Sequence, residues 1–256
     1  MSDNSAVRNA LRPETRLVWV ETPSNPLMKI LDVTALAAIA HEAGAQLLVD
    51  GTFPSPALLR PLSFGADVVL HSTTKYLGGH SDAMGGALIF AQPDEQFHQI
   101  KQIRKILGGV ASPFNSWLVL RGLRTLPTRM EAHSRNALIV ASFLESHAGV
   151  VQVLYPGLTS HPGHLIAKQQ MKDFGRMLSF RVKGGRKGAI DVASRLGLFI
   201  NAGSLGGPKS LVQHAASVMH PADLIPDDLL RLSVGLEHPE DLIADLNQAL
   251  QGNCSI

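Results

Sequence analysis

Three features of the sequence predict an α/β fold. Short apolar runs recur at Leu17-Val-Trp-Val20, Gln46-Leu-Leu-Val49, Asp67 to Leu70 and Ala87 to Phe90. A stretch with helical spacing, Val33 to Ala43, separates the first two, and from about Asp94 to His147 the spacing of apolar residues is helical. Alternation of this kind predicts parallel strands buried under helices.

The elements can be justified in order. Asp32 is placed to cap the first turn of the helix at Val33, and Gly44 supplies the left-handed residue that stops it. Helices are expected over Gln96 to Leu107, Phe114 to Leu126 and Arg129 to His147, the last long enough to link two domains. After the turn at Pro156 the chain offers a strand at Met177 to Val182, an amphipathic segment at Ala189 to Leu198, a strand at Leu229 to Val234 and a final helix, Pro239 to Leu250. The expected division is a first domain over 1–125 and an α+β domain over 126–256.

With 256 residues, 45% hydrophobic and 17% charged, the chain can bury one or two real cores. Its 23 basic and 21 acidic side chains leave a net charge of +2, so no strong field would draw in nucleic acid or an anionic membrane. The first sixteen residues are polar and charged, and no run approaches the roughly twenty apolar residues of a membrane span. The single cysteine, Cys254, fits a reducing compartment and reads as a bystander. These features predict a cytoplasmic protein.

The richest chemistry lies in Asp67-Val-Val-Leu-His-Ser72-Thr-Thr74-Lys75-Tyr-Leu-Gly78-Gly-His80-Ser81, where an apolar run ends in hydroxyls, one amine and a glycine turn. An amine at the end of a buried strand is partly desolvated, which lowers its pKa and lets Lys75 attack an aldehyde, with pyridoxal phosphate the obvious one. Ser72 and Thr74 could donate to its phosphate. Asp50 ends the apolar run Leu47 to Val49, where a carboxylate needs a positive partner such as a pyridinium nitrogen; a turn residue or helix cap is the alternative. Asn25, extended because Pro26 follows, Asp50 and the 72–75 group all fall at strand ends, where ligands of open α/β sheets collect. Arg231 sits in an otherwise apolar strand, where a guanidinium calls for a carboxylate, from a ligand or from an internal salt bridge, unless the position faces solvent. His161-Pro-Gly-His164 reads as a turn, His80 and Asp82 as organisers of the loop after Lys75, and Lys183, Arg186 and Lys187 as a solvated loop.

The lysine run resembles the cofactor-lysine signature of the Cys/Met-metabolism, or transsulfuration, family of pyridoxal-phosphate-dependent enzymes. Five further blocks share the resemblance: Glu21-Thr-Pro-Ser-Asn25-Pro, Val49-Asp50-Gly-Thr-Phe53, Tyr155-Pro-Gly-Leu158, Ser204-Leu-Gly-Gly207 and Leu230-Arg231-Leu-Ser-Val-Gly235. The resemblance implies fold type I, aspartate aminotransferase-like, with a partial large domain and a smaller C-terminal α+β domain. It assigns Lys75 as Schiff-base lysine and proton shuttle, Asp50 to the pyridine nitrogen, Asn25 to the cofactor hydroxyl and substrate carboxylate, Arg231 to the α-carboxylate, and Ser204 beside it. The implied reaction is carbon–sulfur bond elimination on a sulfur amino acid by a homodimer or homotetramer. The alternatives are cystathionine γ-synthase or O-acylhomoserine sulfhydrylase, or an inactive shortened homologue.

Several positions depart from the family. The N-terminal portion that carries the ring-stacking aromatic and further phosphate ligands has no counterpart, which leads one to expect bare apolar surface. Gly203 stands where cystathionine γ-enzymes usually have Glu, Gly51 replaces Asn, and Pro208-Lys209 replaces Val-Glu. The stretch from His220 to Arg231 is short, which would shift Arg231.

Overall fold

The computed structural model describes residues 3–218 and 225–251, so Cys254 and His220 lie outside the described residues. Contacts divide the chain into two compact units, one of residues 1–22 and 31–126, the other of 23–30 and 127–256.

The first unit is built on a four-stranded sheet in the order β1-β2-β3-β4, with β1 Leu17–Glu21, β2 Gln46–Asp50, β3 Val68–Ser72 and β4 Gly86–Phe90. Helix α1, Asn4–Ala10, packs on α2, Val33–Glu42, which crosses between β1 and β2. The predicted caps of α2 are present: Asp32 accepts from Ala35 N at 3.0 Å, and Gly44 has φ +68°. Strands β1, β2 and β3 are parallel, in a register that pairs Asp50 with Glu21 on one side and Leu70 on the other.

The expectation that all four runs are parallel fails at β4, which pairs antiparallel with β3 and places Gly86 opposite Ser72. No crossover helix separates these strands. The chain makes one helical turn after Ser72 and returns, and only a crossover could bring β4 back parallel. Burial under helices holds for one face alone. Val18 and Val20 join the core with Leu36, Ile39 and Leu47, whereas Leu17 and Trp19 of β1 are exposed on the other face, as is Leu88 of β4. A cavity of about 820 Å³ opens there between Trp19, Leu70, Leu88, Phe90 and Phe97. Short α3, Ser55–Leu58, then α4, Glu95–Ile106, and α5, Pro113–Leu123, complete the unit; Ile106, Leu107, Phe114 and Trp117 are also exposed.

The second unit opens its main segment on α6, Leu126–Ser146, and carries a five-stranded sheet in the order β5-β6-β9-β8-β7. The strands are β5 Val150–Leu154, β6 Met177–Val182, β7 Ile200–Asn201, β8 Leu211–His214 and β9 Leu229–Ser233. Helices α7 His164–Gln170, α8 Gly185–Arg195 and α9 Pro239–Gln251 accompany them. One core joins Ala137 and Val140 of α6, Leu178 and Phe180 of β6, Val192 of α8, Leu230 and Leu232 of β9, and Leu242 and Leu246 of α9. Arg186 and Lys187 lie in the first turn of α8 and not in a loop; Arg186 bonds Asp227 at 3.0 Å. Both histidines of the 161–164 turn are engaged with backbone: Gly163 N donates to His161 Nδ1, and His164 Nδ1 lies 2.9 Å from Pro156 O.

Candidate active site

In the first unit, the carboxyl ends of two adjacent parallel strands bring together Asp50, Ser72, Thr74 and Lys75. Asp50, half-buried, closes β2 and accepts from Thr52 N at 2.9 Å. The buried Thr52 in turn accepts from Ser72 N at 2.9 Å through Oγ1, so one threonine ties the carboxylate end of β2 to the hydroxyl end of β3. Between them, the His71 ring packs against Gly51, 2.9 Å from where a Cβ would stand.

Immediately after Ser72, residues Thr73–Leu77 form a π-helical turn that is broken at Lys75, φ −93° and ψ −119°. Single π turns of this kind recur at functional sites because they redirect one side chain out of the regular helical series. The turn is fixed by Gly78 N to Thr73 O at 2.9 Å and Gly79 N to Lys75 O at 2.7 Å, and His80 Nδ1 lies 2.9 Å from Gly78 O. Helix α5 presses on it so closely that a Cβ at Gly122 would fall 2.1 Å from Gly78 O.

The two expected hydroxyls differ. Ser72 Oγ has no hydrogen-bond partner among the described residues. Thr74 Oγ1 accepts from Gly85 N at 3.0 Å and donates to Gly85 O at 3.3 Å, a long bond that another acceptor could displace. His71, buried at the end of β3, has an Nδ1 with no hydrogen-bond partner among the described residues. Burial pushes its pKa down, opposed by the Asp50 charge and the Gly51 backbone.

The second unit holds Asn25, Ser204 and Arg231. Arg231 is buried at 3% exposure in the middle of β9, opposite Ser179 of β6 and Gln213 of β8. Its Nη1 donates to Asn25 Oδ1 at 3.0 Å, and its Nη2 donates to Gly203 O at 3.0 Å and Ser204 O at 3.3 Å. Ser179 Oγ donates to Pro26 O at 2.7 Å. These bonds explain why Pro23–Ile30 groups with the second unit although it follows β1. Ser204 is exposed and meets Arg231 through its carbonyl.

A lysine in a broken turn after a parallel strand, with a carboxylate at the neighbouring strand end, is the arrangement expected on the cofactor side of a fold-type-I pyridoxal-phosphate protein. The sequence model of the Cys/Met metabolism PLP-dependent enzyme family matches residues 1–251. Cystathionine gamma-synthase of Mycobacterium bovis is 51% identical over 255 residues, covering 98% of this chain and 66% of its own length. Cystathionine gamma-lyase of Dictyostelium discoideum is 47% identical over 252 residues, 95% of this chain and 65% of its own. The crystal structure of metB from Corynebacterium glutamicum superimposes with a TM-score of 0.95 at 44% identity, covering 98% of this chain and 66% of that one. The chain belongs to the Cys/Met metabolism PLP-dependent enzyme family and spans about two thirds of the length of these relatives.

The residues present fit the family's cofactor. An amine that could meet the aldehyde, a carboxylate that could meet the pyridine nitrogen and an unengaged hydroxyl that could meet the phosphate stand on adjacent strand ends.

Proposed function

We propose that the chain carries the cofactor lysine and the substrate-carboxylate grip of a transsulfuration enzyme that eliminates the sulfur substituent of a sulfur amino acid. The broken turn that presents Lys75 beside Ser72, next to the strand ending in Asp50, carries this reading. Lys75, Asp50, Ser72 and Thr74 would hold pyridoxal phosphate. When bound, it supplies an electron sink for a carbanion at the substrate α-carbon.

The chain's own groups do the rest. Asp50 holds a proton on the pyridine nitrogen, because a carboxylate at that place favours the charged ring. The Lys75 amine takes the proton from the α-carbon, and its ammonium form gives a proton to the departing sulfur as the carbon–sulfur bond breaks and its electron pair leaves with the thiolate. Arg231 pairs with the α-carboxylate, and Asn25 Oδ1 and the two carbonyls it meets aim the guanidinium. Asn25 also meets the cofactor hydroxyl, and Ser204 turns its hydroxyl to the same carboxylate.

A second reading, γ-replacement with entry of a thiol as in a cystathionine γ-synthase, is favoured by the 51% identity to the mycobacterial γ-synthase. O-acylhomoserine sulfhydrylase would need the same groups. Product analysis separates them. Keto acid and thiol from cystathionine identify a lyase, and cystathionine formed from acylated homoserine only when cysteine is added identifies the synthase. No product from either substrate would contradict both and favour an inactive homologue.

No described helix is long and apolar enough to cross a membrane. We read the protein as a cytoplasmic homodimer or homotetramer; its near-neutral charge and lone cysteine support the compartment, and its bare apolar helix faces support assembly.

A further inference from the structure

A second arginine, Arg176, lies just ahead of β6 and is 0% exposed. Its Nη1 donates to Gly207 O and lies 2.9 Å from His133 Nε2. Its Nη2 donates to Ser233 Oγ at 2.7 Å and to Ser233 O and Lys209 O at 3.3 Å each. Arg231 and Arg176 therefore hold opposite ends of one loop: Arg231 binds the carbonyls of Gly203 and Ser204, and Arg176 those of Gly207 and Lys209. Both are tied to the same face of β9, since Ser233 stands two residues beyond Arg231. Behind the loop, Ser210 Oγ donates to Glu237 Oε2 at 2.9 Å and accepts from Gly235 N at 2.7 Å, and Asn136 Nδ2 donates to Gly235 O at 3.2 Å and Glu237 O at 2.9 Å.

We propose that Arg176 is the positioning residue of the carboxylate grip, fixing the 203–210 loop against β9 so that Arg231 and Ser204 meet a substrate α-carboxylate in register. The role suits a guanidinium. Its fork of fixed donors reaches two chain segments at once, whereas an ammonium is a single point. Burying the charge is costly unless acceptors surround it, so the loop carbonyls and the arginine hold one another in place. His133 beneath it is kept neutral by burial and by the Arg176 and Arg129 guanidiniums, and adds no competing positive charge.

This role rests on the functional reading above, and the experiment separates the two. Arg176→Lys and Arg176→Met are compared with the unaltered chain in cofactor attachment at Lys75, in steady-state kinetics, and in amide hydrogen exchange over 203–211. Attachment is expected to be unchanged, KM to rise about tenfold or more with kcat within about threefold, and exchange over 203–211 to quicken about tenfold while first-unit peptides keep their rates. A folded Arg176→Lys variant with unchanged KM and unchanged loop exchange overturns the proposal. Should both arginine variants fail to fold, Ser233→Ala removes one of the bonds alone; a smaller KM rise with faster loop exchange supports the role, and no change in either overturns it. If the unaltered chain turns over no amino acid, the functional reading fails, and loop exchange alone decides whether Arg176 fixes the loop.

Discussion

Arg231 Nη1 donates to Asn25 Oδ1 at 3.0 Å, joining two side chains 206 positions apart in sequence. The bond holds a buried guanidinium in one orientation, with Gly203 O and Ser204 O on its other nitrogen. Truncating Arg231 to Ala should raise KM for an amino-acid substrate by about a hundredfold, the scale of one charge-assisted pair. Asn25→Ala should raise it less, and the double variant should show a coupling of about 1 kcal/mol. Strict additivity in the double-mutant cycle would mean that the bond does not orient the arginine.

Thr52 is the second joint. Thr52→Val leaves Ser72 N without its acceptor and should cost about 1–3 kcal/mol of stability. Spectroscopic titration with pyridoxal phosphate should show weaker cofactor binding. Unchanged binding in a destabilised protein would confine Thr52 to a folding role.

Gly122 tests the support of the lysine turn. A methyl group at this position would lie 2.1 Å from Gly78 O and 2.4 Å from Leu77 O, so α5 or the turn must move. Gly122→Ala should lower stability by about 1–3 kcal/mol or more and reduce cofactor attachment. Normal melting and attachment would show that α5 does not brace the turn.

His133 makes stability depend on pH. Its pKa is pushed down from 6.5 to about 2, first by burial and then by the Arg176 and Arg129 charges. Below pH 6.5 the unfolded chain binds a proton on this ring and the folded chain does not. The stabilisation is therefore complete above that pH and falls by about 1.4 kcal/mol per pH unit as pH drops toward 2. Burial shifts His71 and His161 in the same direction. Urea unfolding at pH 7 and pH 5 should show this loss, and His133→Asn should flatten it; an identical slope in the variant would contradict the assignment.

Much of this was legible in the sequence because it lies in local patterns. The capped helix after Asp32 and the apolar strands need only near neighbours, and the expected β1, β2, β3, β6 and β9 are all present. The direction of β4 was not legible, because an apolar run reads alike in either direction and only the shortness of the return after Ser72 sets it. Thr52 and Gly122 act through contact with distant backbone, which no local pattern encodes. Arg176 does carry a local signal: like Arg231, it is a lone charge at an apolar strand, between Gly175 and Met177.

Lys75 is proposed as the cofactor lysine. The most direct measurement incubates the purified chain with pyridoxal phosphate, reduces it with borohydride and locates the added mass by peptide mass spectrometry, with Lys75→Ala alongside. A yellow protein is expected whose label, after reduction, sits on the peptide containing Lys75 and is absent from the variant. Label spread over surface lysines, or equal labelling in Lys75→Ala, would contradict it.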